Sequence, residues 1–162
     1  MKQNWVIDAS PLIILGKAEL LETISALATS WLIPNGVIQE ISQKSAVEPL
    51  LAQLSQYAEV KCKKVPVIKP QIIRWNLDDG ESEVITLAIK NAGYGVVLDD
   101  LQARKCATVL NLSLIGSLGL IVKAKKEGLL KTVKPAFEKL MISGLYIDKV
   151  LIETVLTSLG EQ

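Results

Sequence analysis

Five carboxylates of this chain, Asp8, Glu40, Glu81, Asp99 and Asp100, are the side chains whose types and places could do chemistry together. Asp8 follows the apolar run Val6-Ile7, and Asp99-Asp100 follows Val96-Val97-Leu98. Short apolar runs of that kind read as strands buried on both faces of a parallel sheet. In open α/β sheets, ligands bind in the crevice outside the carboxyl ends of the strands, which is where these acids fall. Carboxylates crowded at one sheet edge repel, and a hard divalent cation with oxygen ligands, Mg2+ or Mn2+, resolves the repulsion. Such an ion can activate water and stabilise charge on a phosphoryl oxygen, so the reaction class suggested is phosphodiester hydrolysis. The chain has no histidine, which removes Ser-His-Asp and Cys-His nucleophiles and histidine-ligated zinc. Catalysis, where present, must rest on carboxylates.

The elements that must position these acids can be read in order. Asn4 to Ile7 reads as a first strand, followed by a helix for which Ser10 looks like the N-cap and Pro11 the first helical residue. That leaves Asp8 without a capping task, with a turn aspartate as the plainer alternative. Trp31-Leu32-Ile33 reads as a second strand, and Asn35 as the N-cap of a helix carrying Val37, Ile38 and Ile41. Glu40 lies on the flank of that apolar stripe, where an inward and an outward course are both open. Residues 47–58 read as an amphipathic helix or hairpin arm, and Val65 to Ile68 as an edge strand because of Pro66.

The segment from Asp78 to Ile89 opens a helix with acids at the end the macrodipole favours, and Asp78 with Glu81 has the form of a capping box. At about 100° per residue, Val84, Ile85, Ala88, Ile89 and Ala92 gather on the side that Glu81 occupies, whereas Glu83 falls on the far side near Lys90. Glu81 is therefore expected on the buried face, where a carboxylate needs a partner. Glu83 is expected at the surface. After Asp100 a helix carries Ala103, Arg104 and Ala107, Leu112 to Ile115 reads as a buried strand, and a helix beginning near Ser117 ends before Gly128. Further helices are expected over about 135–143 and 150–159, with a short strand over 145–147. Strands alternating with helices at this spacing argue for a parallel sheet between helical layers.

Composition bounds the rest. A length of 162 residues suits one domain spanning the chain, with residues from about 129 as a helical extension packed on it. Apolar residues make up 49% and charged residues 22%, which excludes disorder and leaves apolar surface for self-association. The longest apolar stretch, Leu112 to Val122, is far shorter than the ~20 residues of a membrane span. Without a basic-then-apolar leader, a cytoplasmic location is expected. Two cysteines, Cys62 and Cys106, read as free thiols in a reducing setting. A net charge of +1 gives no global basic field. The clusters Lys61, Lys63, Lys64 and Lys123, Lys125, Lys126 read first as solvated faces.

In combination, the run Val6-Ile7-Asp8-Ala9-Ser10-Pro11-Leu12-Ile13, the phrase Gly80-Glu81-Ser82-Glu83-Val84-Ile85-Thr86-Leu87-Ala88, and Val97-Leu98-Asp99-Asp100 to Arg104 resemble PIN domains. The resemblance is closest to short prokaryotic PIN-like proteins related to toxin ribonucleases of the VapC type. Ile115-Gly116-Ser117-Leu118-Gly119-Leu120 and Ala124-Lys125-Lys126-Glu127-Gly128-Leu129 strengthen it. It implies a three-layer α/β/α sandwich with a mainly parallel sheet, and an acid cluster that binds Mg2+ or Mn2+ and cuts RNA. Carried over by position, it implies Asp8, Glu40, Glu81 and Asp100 as catalytic acids, with metal held among Asp8, Glu81, Asp99 and Asp100. Asp99 competes with Asp100 for the fourth place. Ser10, Glu83, Arg104 and Ser117 would be supporting residues. The family commonly forms homodimers and is often neutralised by a small antitoxin protein. Where the toxin branch usually carries aspartate as its third acid, this chain has Glu81, which favours the alternative of a PIN-like binding or regulatory module without nuclease activity. A phosphatase of the haloacid dehalogenase type would need a second aspartate where Ser10 stands, and a response-regulator receiver would need its paired acids after the first strand.

Overall fold

The computed structural model describes residues 2–161. Five strands, β1 (Asn4–Ile7), β2 (Ser30–Pro34), β3 (Glu59–Lys63), β4 (Tyr94–Val97) and β5 (Leu114–Ile115), make one sheet in the order β3-β2-β1-β4-β5, every pairing parallel. The central strands are buried at consecutive residues, Val6 and Ile7 in β1, all of β2, and Gly95 to Val97 in β4. Side chains alternate between faces along a strand, so consecutive burial means that both faces are covered by helices. The result is the parallel sheet between helical layers that the alternation of strands and helices predicts, and the α/β/α sandwich that the resemblance implies.

Among the described residues, ten helices connect and cover these strands: α1 (Ala9–Lys17), α2 (Leu21–Ser25), α3 (Asn35–Lys44), α4 (Val47–Leu54), α5 (Pro70–Ile73), α6 (Asp79–Lys90), α7 (Leu101–Val109), α8 (Ser117–Lys126), α9 (Lys134–Ile142) and α10 (Lys149–Ser158). Their buried faces meet the sheet in one core that includes Leu12, Leu21, Trp31, Ile41, Val84, Leu120 and Phe137. The Trp31 indole N–H donates to the carbonyl of Ser25 at 3.1 Å, so the large ring is buried without an orphaned polar atom.

Several local expectations are corrected. Ser10 is not a cap: Asp8 holds the N-cap backbone position of α1, and Ser10 lies exposed in the first turn without a side-chain hydrogen bond. Pro34, not Asn35, is the N-cap of α3. Residues 65–68 form no strand, and neither do 145–147. The edge strand is instead β3, whose Glu-Val-Lys-Cys-Lys sequence is mostly exposed and has no apolar run to reveal it. Lysines on an edge strand discourage pairing with other chains, which explains a strand of this composition. The short helices α2 and α5 are also absent from the sequence reading, since neither is long enough to show a period.

The register sets the site. Ile7 pairs with Val97, and the amide of Asp8 donates to the Val97 carbonyl at 3.2 Å, so Asp8 and the Asp99-Asp100 pair leave the sheet side by side. At the other end of the chain, Glu161 accepts from the amides of Val133 at 3.0 Å and Lys134 at 3.2 Å and pairs with the Lys125 ammonium, tying the segment after α10 to α8 and α9. Burial alone would raise the Glu161 carboxyl, but Lys125 and the two amides outweigh it and hold the group below its ordinary value. Glu161→Gln is expected to speed amide hydrogen exchange in α10 while leaving β1 and β4 protected, as hydrogen-exchange mass spectrometry would read. Equal protection of α10 in both chains would show that the contact does not hold the helix.

Candidate active site

Asp8 is 5% exposed, and its Oδ1 has no hydrogen-bond partner. Burial pushes this carboxyl well above the ordinary aspartate range; the Ala9 amide pulls the other way, and the charges of Glu81, Asp78 and Glu40 push it further up. An unpartnered, buried carboxylate oxygen is costly unless it is protonated or meets a cation. The other acids make the environment worse for an anion.

Glu81 is 8% exposed, on the buried face of α6 as the helical wheel predicts. Burial first, then the charges of Asp78, Asp100 and Glu40, raise its carboxyl from 4.5 to about 7, against an opposing hydrogen bond from the Asp78 amide. The capping box is present as well: Asp78 Oδ1 accepts from the Glu81 amide at 2.8 Å, and Glu81 Oε1 accepts from the Asp78 amide at 3.3 Å. Capping and membership of the acid cluster therefore coexist in one residue. The second bond is long, so little is lost when Glu81 turns to another partner.

Gly80 marks the point of convergence. A methyl group placed there would stand 3.0 Å from Glu40 Oε1 and 3.6 Å from both Asp78 Oδ1 and Asp8 Oδ1, so three carboxylates from α3, the α6 N-cap and the end of β1 face one bare backbone position. Glu40 thus takes the inward course, while Lys44 pairs with its Oε2 at 3.5 Å from the solvent side. Asp78 is the member that sequence reasoning left out of the cluster. Its capping pattern was visible and accounted for it fully, and no signal in the chain marked a second role.

Asp99 and Asp100 part ways. Asp100 caps α7 by accepting from the Ala103 amide at 3.0 Å, and its charge is felt by Glu81. Asp99 turns the other way and binds Ser117 twice, through the amide at 2.8 Å and the hydroxyl at 2.6 Å. Gly116 is the N-cap of α8 and has no side chain to offer, so Asp99 caps that helix from outside. Arg104 Nη1 donates to the Leu98 carbonyl at 2.8 Å, bracing the same turn. Asp99→Ala is expected to cost about 1–3 kcal/mol in a denaturant melt by stranding the buried Ser117 hydroxyl and the α8 terminus, whereas Asp100→Asn is expected to weaken Mn2+ binding in calorimetry. The reverse pattern would exchange the two roles.

Glu83 corrects the expectation of a surface residue: it is half-buried and accepts from the Gly36 amide at 3.1 Å, capping α3 from α6. A Cβ at residue 36 would stand 2.2 Å from Glu83 Oε2, so this cap needs glycine there. Glu83 thereby holds α3, and with it Glu40, beside the cluster. Ser10 takes no part in it.

As the side chains stand, no three acids among the described residues lie at ligand spacing for a metal ion. The donor set nevertheless suits a hard divalent cation: all oxygen, crowded, and including the orphaned Oδ1 of Asp8. The caps made by Glu81 and Asp100 are what a cation would have to displace.

A parallel five-stranded sheet with buried acids gathered at its carboxyl edge defines an α/β sandwich protein. A family model described as a PIN domain matches residues 4–161, and the chain belongs to that family. PIN domains are in general nucleases that act on nucleic acid and typically bind divalent metals. Among solved structures, a PilT N-terminus domain protein from the hyperthermophilic archaeon Sulfolobus solfataricus P2 is similar at 19% identity, over 75% of this chain and 92% of that one, with a TM-score of 0.54; it shares the fold. No curated protein matches the chain. None of the described helices is long and apolar enough to cross a membrane.

Proposed function

We propose that the chain is a Mg2+- or Mn2+-dependent endoribonuclease that hydrolyses RNA phosphodiester bonds, acting in the cytoplasm as the toxin-type component of a toxin–antitoxin pair. The observation that carries the reading is the buried, unpartnered Oδ1 of Asp8 among the carboxylates of Glu40, Asp78 and Glu81. Asp8, Glu81 and Asp100 would hold the ion, with Glu40 beside them. When bound, the ion supplies an activated water and a counter-charge for the phosphoryl oxygen. The protein's own part is to keep Asp8 rigid at the sheet edge and to bring Glu81 and Glu40 to it on packed helices. Exposed Ile142, Tyr146, Val150 and Leu151 offer apolar surface to a second copy or a small antitoxin.

A binding module without nuclease activity is the second reading. It draws on Glu81 and Asp100 being engaged as helix caps rather than free. Incubating a mixed RNA pool with the purified chain in Mn2+ or in EDTA separates the two. Cleavage confined to Mn2+ and lost in Asp8→Asn and Glu81→Gln is expected; intact RNA in both buffers, with no heat of Mn2+ binding, would leave the binding module.

A further inference from the structure

Three tryptophans occur in the chain, and two of them, Trp5 and Trp31, lie in the core. Trp75 is half-buried and borders a cleft of about 490 Å3. Gln71 and Arg74 line it from α5 and its end, Asn76 follows, and Gln102 faces them from the first turn of α7, with Val109 and Leu110 as its apolar lining. Among the described residues, none of the side chains of Gln71, Arg74, Trp75, Asn76 and Gln102 has a hydrogen-bond or ion-pair partner. Three amides, a guanidinium and an indole therefore surround one opening with their polar groups unused.

The cleft adjoins the acids through the chain itself. Asn76 stands two residues before Asp78, and Gln102 two residues after Asp100, and two residues span at most ~7 Å. Asn76 has φ of +53°, a left-handed turn that asparagine tolerates and that directs the chain into the α6 N-cap. An unstacked base offers a flat π-face and an edge of mixed donors and acceptors, and proteins read it by aromatic stacking and by side-chain amides. The size falls within the range of small-ligand pockets.

We propose that this cleft takes the base of an unpaired nucleotide flanking the scissile phosphate, with Trp75 stacking on it, Gln102 and Asn76 reading its edge, and Arg74 meeting the neighbouring phosphate. The inference rests on the nuclease reading of the acid cluster and names where its RNA selectivity resides. Gln102 is exposed, so its truncation spares the fold; Asn76→Gly keeps the left-handed turn and removes only the amide.

The test measures binding of a labelled six-nucleotide single-stranded RNA in EDTA by anisotropy, alongside quenching of intrinsic fluorescence by the four nucleoside monophosphates. Cleavage in Mn2+ is measured separately. Expected are quenching that vanishes in Trp75→Phe while affinity is largely kept, and a loss of affinity of about 5- to 100-fold in Trp75→Ala. Gln102→Ala and Asn76→Gly should weaken binding and change which base flanks the cut. Native affinity in Trp75→Ala, Gln102→Ala and Asn76→Gly, and native cut sites in the last two, with no quenching in the native chain, would overturn the base site even if the RNA is cut. Quenching and weakened variants without any cleavage would keep the base site and discard the nuclease. Absence of nucleotide binding, with a protein partner protecting Trp75 from quenchers instead, would also overturn it.

Discussion

Asp8→Asn is expected to abolish metal-dependent RNA cleavage, by at least ~100-fold, and at the same time to make the metal-free chain more stable. Loss of activity follows if Asp8 holds the ion, since removing a group that stabilises transition-state charge costs about 10²- to 10³-fold. The gain in stability follows from burial. The native aspartate keeps a carboxyl in a site that disfavours its charge, with Oδ1 unpartnered and Glu81, Asp78 and Glu40 nearby. A neutral amide of nearly the same shape removes that repulsion and offers an Nδ2 donor to the surrounding carboxylates, and pairing one buried polar group is worth about 1–3 kcal/mol. A thermal melt in EDTA at pH 7.5 reads it directly. A substitution that inactivates by damaging the fold would lower the melting temperature instead.

The second large effect is a fall in the stability of the metal-free chain as pH rises. Glu81 titrates near 4.5 when unfolded and is raised to about 7 in the fold. Between those values the unfolded chain releases its proton while the folded chain keeps it, so the unfolded state binds fewer protons and stability declines with increasing pH. Below about pH 4.5 the penalty is absent, and above about pH 7 it is complete. At 1.36 kcal/mol for each pH unit, the loss amounts to about 3 kcal/mol, and Asp8 acts in the same direction. Urea titrations at pH 5 and pH 7.5 in EDTA measure it. A Mn2+ concentration of ~100 times its dissociation constant should return about 2.7 kcal/mol at pH 7.5. Stability that is flat or rising over this range would show that Glu81 is ionised without cost.

What the sequence disclosed and what it concealed follow from simple physics. Asp8 was legible because an apolar run ending in an acid states both the strand and its carboxyl end. Glu81 was legible because a carboxylate on the apolar stripe of a helix is out of place. Asp78 was concealed by a capping pattern that explains an acid at a helix start without remainder. Adjacent residues in extended backbone point to opposite sides, so Asp99 and Asp100 had to part. Which of them turns to Glu81 depends on Gly116 leaving α8 without a cap of its own, a contact across the sheet that no local pattern records. Glu40 and Glu83 depend in the same way on how α3 meets α6. The edge strand β3 escaped notice because its exposed residues have no hydrophobic alternation.

The most direct test of the metal centre is a Mn2+ titration by calorimetry on the native chain and on Asp8→Asn and Glu81→Gln, at pH 7.5. Saturable binding by the native chain that releases protons, and that weakens at least tenfold in both variants, is the expected result. Equal binding in all three, or none in the native chain, would contradict an acid cluster that works by holding a metal ion.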